Sequence, residues 1–333
     1  MTDAAPPPRL CPVCRAARWT PLFAAPELFD GSLFPVARCP SCGLVATLDD
    51  LEPQELAAYY RYAEEPDAGH RFRAPLEPFM RLLRKERIKA VLRLRAAPGR
   101  ILDVGSGRAV MLEALASRGW ECWGTELEQE IAVSARRRLG DRVVVGQFED
   151  LELPVRDFDV ITFWHVFEHL ADPSAAFAKT RELLAPDGVV LVSVPNVDSC
   201  QARLSGRDWL HLDVPRHRWH FTPDTLARLA TAAGLEVLHA EQFSLEYGPY
   251  GMLQSGLAKL GLGQRLFTRV LRPAGGHAIW REPAFWTHLA LALPIAAAAA
   301  LSLPLEAIAA AAGKGGVIAL ALRRADRPRN RAP

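Results

Sequence analysis

Two sets of side chains in this sequence have the types and spacing that chemistry demands. The first is Cys11-Pro-Val-Cys14 and Cys39-Pro-Ser-Cys42, two CxxC pairs separated by a loop. Each pair puts two thiols on one tight turn, and two such turns close a tetrahedral metal site. Four cysteine ligands leave no open coordination position, so the expected ion is a structural zinc; paired disulfides and an iron–sulfur site are the competing readings. The second set is histidine-rich. His165 and His169 follow an apolar run, while His211, Asp213, His217 and His220 lie within residues 208–222. A histidine poised near neutral pH suits proton removal, and a nearby carboxylate such as Asp213 can orient it. Buried structural histidines are the bland reading of the same residues. Cys122 and Cys200 stand alone and read as buried small hydrophobes.

The elements that must position these groups centre on Arg100-Ile-Leu-Asp103-Val-Gly105-Ser106-Gly107. A short apolar strand runs into a glycine turn, which lets the backbone approach a ligand that any Cβ would displace. A second strand, 121–125, ends in Glu126, at about the spacing where an acid grips ribose hydroxyls. Further strands are expected at 143–145, 158–163, 189–194, 235–244 and 316–323, with helices between most of them. That alternation predicts a doubly wound α/β sheet of seven strands, six parallel and the last antiparallel. A dinucleotide-binding Rossmann domain is the runner-up, but its third glycine is replaced by Val110.

At 333 residues and net charge +2, with half the residues hydrophobic, the chain reads as globular and not globally basic. No basic, aromatic face points to nucleic acid. The first residues have no apolar core, so no secretory signal is expected and the compartment reads as cytoplasmic. The expected divisions are a zinc ribbon over 1–50, a helical linker or lid over 51–97, the core over 98–250, an apolar helical insertion over 251–313, the final strand over 314–326 and a tail over 327–333. Within the linker, Tyr59, Tyr60 and Tyr62 close a first helix. The second helix carries a basic side, Arg81, Arg84, Lys85, Arg87, Lys89 and Arg93, expected to be solvated or drawn to anionic groups.

The glycine turn, Phe158–Leu170 and Leu184–Asn196 together resemble the class I S-adenosylmethionine-dependent methyltransferases, over roughly residues 100–245. The resemblance implies cofactor contacts from Asp103, Gly105, Ser106, Gly107, Glu126, Leu127, Gln147, Phe148 and Trp164. An Asp is usual in that family where Gln147 stands, so Phe148 is expected to help hold the adenine by stacking or through its backbone. A ribbon ahead of such a core also resembles bacterial sugar and glycan-cluster methyltransferases, which implies a sugar or glycolipid acceptor and a base at His217. The acid that precedes that base there is Arg216 here. This favours O-methylation over C-methylation, with Arg216 and Arg218 on a phosphate. A noncatalytic, zinc-bearing binding protein with the same core is the alternative from another class.

The insertion holds an amphipathic stretch, 257–272, and an uncharged apolar run, 284–305, interrupted by Pro294 and Pro304. By topology a single crossing would strand the last strand across the membrane. A hairpin or interfacial helix over 284–312, resting on the inner face of the cytoplasmic membrane, is therefore expected. A buried helical pair or a dimer contact is the other reading, and oligomeric state is not legible from the sequence.

Overall fold

The computed structural model describes residues 9–28, 30–49, 51–63, 77–259 and 292–326. Its main sheet has seven strands: β4 (Arg100–Val104), β5 (Glu121–Glu126), β6 (Val143–Val145), β7 (Phe158–Trp164), β8 (Leu184–Pro195), β10 (Leu235–Glu241) and β11 (Val317–Arg324). Their order is β10-β11-β8-β7-β4-β5-β6, and β11 alone runs antiparallel, between β10 and β8. This is the doubly wound, Rossmann-like sheet that the alternation predicts. β4 and β7 are central, and Ile101, Leu102, Val160 and Ile161 are fully buried, as a strand covered on both faces requires.

Helices α2 (Glu77–Leu94), α3 (Val110–Ala116) and α4 (Gln129–Leu139) cover one face, packing Val91, Leu112, Leu115 and Ala132 together. On the other, α5 (Pro173–Leu183) and α7 (Pro223–Ala232) bury Phe177, Leu226 and Leu229 against Phe163 and Phe167. Asp172 caps α5 with its carboxylate, and Thr222 and Thr225 form a reciprocal capping box ahead of α7.

The N-terminal strands β1 (Thr20–Pro26), β2 (Leu33–Arg38) and β3 (Val45–Thr47) form a second sheet whose fourth strand comes from far along the chain. That strand is β9 (Trp219–His220), in the histidine-rich loop. Cys11, Cys39, Leu44 and Ala46 share a hydrophobic core with Trp219 and Phe221, while Phe34, Val36 and Val45 pack on Trp209, Leu212 and Val214. The ribbon is thus built into the wall of the histidine loop, not hung beside it.

After β10 come α8 (Gly248–Lys259) and α9 (Ala292–Ala311), with residues 260–291 lying outside those described. The amphipathic stretch beyond Lys259, the start of the apolar run at 284–291 and the tail 327–333 fall there or at the end. α9 runs through Pro304 instead of breaking at it. Proline removes one backbone donor and so costs a hydrogen bond. The helix is held nearby by Glu306, fully buried, which accepts from the Gly316 N–H at 2.7 Å and Gln201 Nε2 at 2.7 Å. On the other side Leu301, Leu305 and Ile308, at helical spacing, are 59, 50 and 67% exposed. No helix among the described residues is long and apolar enough to cross a membrane.

Candidate active site

At the carboxyl edge of β4, Gly105 and Gly107 adopt φ of +68° and +55°. A Cβ at Gly105 would collide with Val166, which lies in the loop after β7. The turn therefore needs glycine both for its backbone conformation and for packing against the neighbouring loop. Glu126 is aimed at this turn: its carboxylate accepts from the Gly107 N–H at 2.8 Å and the Leu127 N–H at 2.8 Å. Ser106 donates its N–H to the Thr125 carbonyl, which ties the turn to β5. Beneath it, Asp103 accepts from Thr162 Oγ1 at 2.6 Å, and burial pushes its carboxyl up to about 7.

Arg87 covers this mouth from α2. Its guanidinium pairs with Glu246 at 2.8 and 2.9 Å, donates to the Tyr247 hydroxyl and lies 5.5 Å over the Trp164 ring. The expectation of a wholly solvated basic face on α2 fails at Arg87, whose charge is needed to neutralise Glu246. Gln147 is exposed, and Leu127 is 53% exposed beside Glu126. Phe148, by contrast, is buried edge-on to Phe163 at 5.6 Å. Its ring is not available to stack on adenine, so any contact from this residue falls to its backbone. Cys122 is buried as expected, but Cys200 is exposed at the start of α6 (Cys200–Ser205).

Beyond the glycine turn, the loop after β7 and the loop before β9 meet. Arg218 donates its N–H to the Glu168 carbonyl at 3.0 Å, and the His169 and His217 rings lie 4.6 Å apart. His217 donates Nδ1–H to the His211 carbonyl at 2.9 Å, since a carbonyl can only accept. By the same reasoning His169 donates Nδ1–H to the Arg216 carbonyl at 2.9 Å. The orienting role expected of Asp213 is therefore filled by backbone: Asp213 faces the other nitrogen of His217, at 3.6 Å from Nε2, and is ion-paired with Arg216. Burial opposes its charge, yet the Arg216 guanidinium holds its carboxyl well below the usual range. Arg216 is itself buried on this pair, which leaves it unavailable for the phosphate expected of it.

Glu168 sits at the centre of this loop pair, 1% exposed, and was not singled out by the sequence. Its carboxylate lies 3.5 Å from His165 Nδ1 and 3.8 Å from His217 Nε2. Burial pushes it up to about 7. His165, with a left-handed backbone at φ 54°, stacks on Tyr247 at 3.8 Å. Tyr60 of α1 (Pro53–Ala63) places its hydroxyl 3.2 Å from His169 Nδ1, so the tyrosine helix reaches the histidines. His220 departs from the expected catalytic set. Its Nε2 bonds Thr47 Oγ1 at 2.9 Å, and the same hydroxyl donates to the His217 carbonyl at 2.8 Å. It is a structural pin between the ribbon and the loop.

Burial pushes His211 and His220 down to about 3, so the fold holds both neutral. An unfolded histidine titrates near 6.5. Their contribution to stability is complete above about pH 6.5 and is lost as pH falls towards 3, about 2 kcal/mol for each by pH 5. Asp103 and Glu168, both pushed up to about 7, bind protons in the folded chain over the same range and offset this loss. The test is therefore the difference between two chains: in urea unfolding, His220→Asn should lose about 2 kcal/mol less than wild type between pH 7 and pH 5. An equal pH response in the two chains contradicts the burial argument.

The two CxxC turns are near copies. Cys11 N–H bonds the Ala16 carbonyl and Arg15 N–H the Cys11 carbonyl; Cys39 N–H bonds the Leu44 carbonyl and Gly43 N–H the Cys39 carbonyl. Arg15 and Gly43 occupy matching left-handed positions at φ 62° and 84°. The four sulfurs lie within 4.8 Å of one another, with Cys11–Cys42 and Cys14–Cys39 both at 3.4 Å, and none is in a disulfide. A tetrahedral thiolate site fits these residues.

A seven-stranded sheet with a glycine turn and an acid at the next strand's end defines a nucleotide-cofactor fold of the methyltransferase type. The description "Methyltransferase domain" matches residues 70–240, and the chain belongs to that family, the S-adenosylmethionine-dependent methyltransferases. It is 28% identical over 162 residues to a ubiquinone biosynthesis O-methyltransferase of Aeromonas salmonicida, covering 45% of this chain and 67% of the relative. To the protein of that name in Thiobacillus denitrificans it is 30% identical over 165 residues, covering 45% and 69%. In the relative from Cereibacter sphaeroides the share covered is 60%. Among solved structures, the glycopeptide N-methyltransferase MtfA complexed with S-adenosylmethionine superposes with a TM-score of 0.39 at 22% identity, over 48% of this chain and 86% of that one. A methyltransferase from Archaeoglobus fulgidus gives 0.46 at 16% identity, over 73% and 94%.

Proposed function

We propose that this chain transfers the methyl group of S-adenosylmethionine to a hydroxyl oxygen, on a saccharide carried by a lipid. The observation that carries the oxygen assignment is the Glu168–His169–His217 cluster beside the glycine turn. A hydroxyl must shed its proton as the new C–O bond forms, and this is where proton-accepting groups collect. The relatives named O-methyltransferases support the same choice. Carbon methylation has less support, because Arg216 stands where the acid preceding the base is found in the sugar C-methyltransferases that the sequence resembles. Glu126 would hold the ribose hydroxyls, and the glycine turn would admit the methionine end. Transfer then needs only alignment of oxygen, methyl and sulfur, which a preorganised site supplies through orientation. Cys11, Cys14, Cys39 and Cys42 would hold a structural zinc.

The lipid part rests on α9. Leu301, Leu305 and Ile308 form an exposed apolar stripe on a helix whose opposite side is fixed to the core through Glu306. Such a surface suits peripheral contact with a membrane from which a lipid-linked acceptor is taken. The test is methyl-labelled S-adenosylmethionine offered with bacterial glycolipid, with nucleotide sugars and with prenylated phenols. Label is expected in the glycolipid, as a base-stable ether. Label confined to the phenols, or to a nucleotide sugar, overturns the acceptor assignment. Co-sedimentation with anionic liposomes should weaken in a Leu301→Gln, Leu305→Gln, Ile308→Gln variant, and equal binding by that variant removes the membrane role of α9.

A further inference from the structure

We propose that Glu168, His169 and His217 hold a divalent cation, and that this cation is where the acceptor hydroxyl binds. The role rests on the transfer reading above; the site itself rests on the geometry of these three residues. One ligand atom from each lies within 4.8 Å of the others. Ligand atoms bound to a common ion at about 2.0–2.2 Å stand about 3–4 Å apart, so modest side-chain rotation closes the site.

The hydrogen-bond pattern says what is missing from the middle of the cluster. Both imidazoles spend Nδ1–H on backbone carbonyls, His211 for His217 and Arg216 for His169, each at 2.9 Å. Their Nε2 atoms are left with lone pairs and no proton. Metal-binding histidines are commonly fixed in this way, by a carbonyl on the far nitrogen. Glu168 is buried, and neither of its oxygens has a hydrogen-bond partner. Asp213 adds a further carboxylate oxygen 3.6 Å from His217 Nε2. With Glu168 ionised, Glu168 Oε1 and His217 Nε2 are two acceptors facing one another at 3.8 Å, too far apart to share a proton in a normal hydrogen bond. A cation between them satisfies both. Two imidazoles and one carboxylate make a borderline donor set suited to Zn²⁺, Fe²⁺, Co²⁺ or Mn²⁺, unlike the all-thiolate set of the ribbon.

The acceptor hydroxyl binds the ion, which lowers its pKa, and its proton leaves to water. The oxygen lone pair forms the new bond to the methyl carbon as the C–S bond breaks. That bonding pair goes to sulfur, giving S-adenosylhomocysteine.

The experiment is a titration with Mn²⁺ of full-length protein holding one zinc per chain, the four-cysteine complement, by elemental analysis, followed by the loss of the free-ion paramagnetic resonance signal. Wild type should bind one Mn²⁺ per chain, and Glu168→Gln and His169→Gln should each weaken binding at least tenfold. Calorimetry with S-adenosylmethionine on the same samples reports folding and the cofactor site separately. If wild type binds the cofactor but no Mn²⁺ at millimolar concentration, the cation site is overturned while methyl transfer stands. Equal Mn²⁺ binding by wild type and by folded variants overturns it too. Failure of wild type to bind the cofactor strikes the transfer reading and leaves the Mn²⁺ result to stand on its own.

Discussion

His217→Ala should lower turnover by about a hundredfold or more while leaving S-adenosylmethionine affinity unchanged. The His217 imidazole lies 3.8 Å from Glu168 and 3.6 Å from Asp213, and its position is set by the His211 carbonyl and by Thr47 on its own carbonyl. None of the contacts that fix the glycine turn and Glu126 passes through it. The ring either takes the proton or helps hold the cation that acidifies the hydroxyl, and in both cases its removal leaves the acceptor oxygen protonated at the moment of attack. Single-turnover rates with saturating cofactor read the effect directly, and calorimetry checks affinity. If His169→Ala or His165→Ala causes the loss while His217→Ala does not, the role belongs to the other loop.

Cys39→Ser should damage the whole chain, not the ribbon alone. Cys11 and Cys39 are fully buried in the same core as Phe163, Phe167 and Trp219, and β3 pairs with β9. A structural zinc contributes its binding energy to folding, apparent values in small zinc-binding peptides being about 10–16 kcal/mol. With the zinc proposed for these four cysteines in place, losing one thiolate removes several kcal/mol from a unit that clamps His217 and His220 through Thr47. We expect a single unfolding transition at lower urea, and a fall in turnover steeper than the fall in cofactor affinity. Two separate transitions with full turnover at low urea would show the ribbon to be an independent module, as its sequence position first suggests.

That contrast shows where sequence reading works and where it stops. The sheet was legible because β4, β7 and β8 carry apolar runs, as burial on both faces imposes, and because β4, β5 and β7 lead into Gly105, Glu126 and His165. The partnership of β3 with β9 was not, because a two-residue strand such as Trp219–His220 carries no periodic signal. Glu168 escaped notice for a related reason. It sits between Phe167 and His169 in a single turn of 3-10 helix, where burial of an acid has no local cue. The sequence Phe-Glu-His at the strand's exit was the available hint, since a carboxylate among buried neighbours marks a strained or functional position. The pairing of Arg87 is silent in the sequence because a row of basic residues on a helix looks solvated until Glu246, far along the chain, folds over it. His220 and His217 look equivalent in sequence, three residues apart, and only the tertiary partner of each ring separates pin from site.

S-adenosylmethionine is expected to lie across the Gly105–Gly107 turn with its ribose on Glu126. Titration calorimetry of wild type against Glu126→Ala tests this most directly. Wild type should bind one cofactor per chain, and the variant should bind more weakly by about 1.5–3 kcal/mol, the usual loss for a charged hydrogen-bond partner. A folded Glu126→Ala chain that binds S-adenosylmethionine as tightly as wild type would contradict the placement of the cofactor.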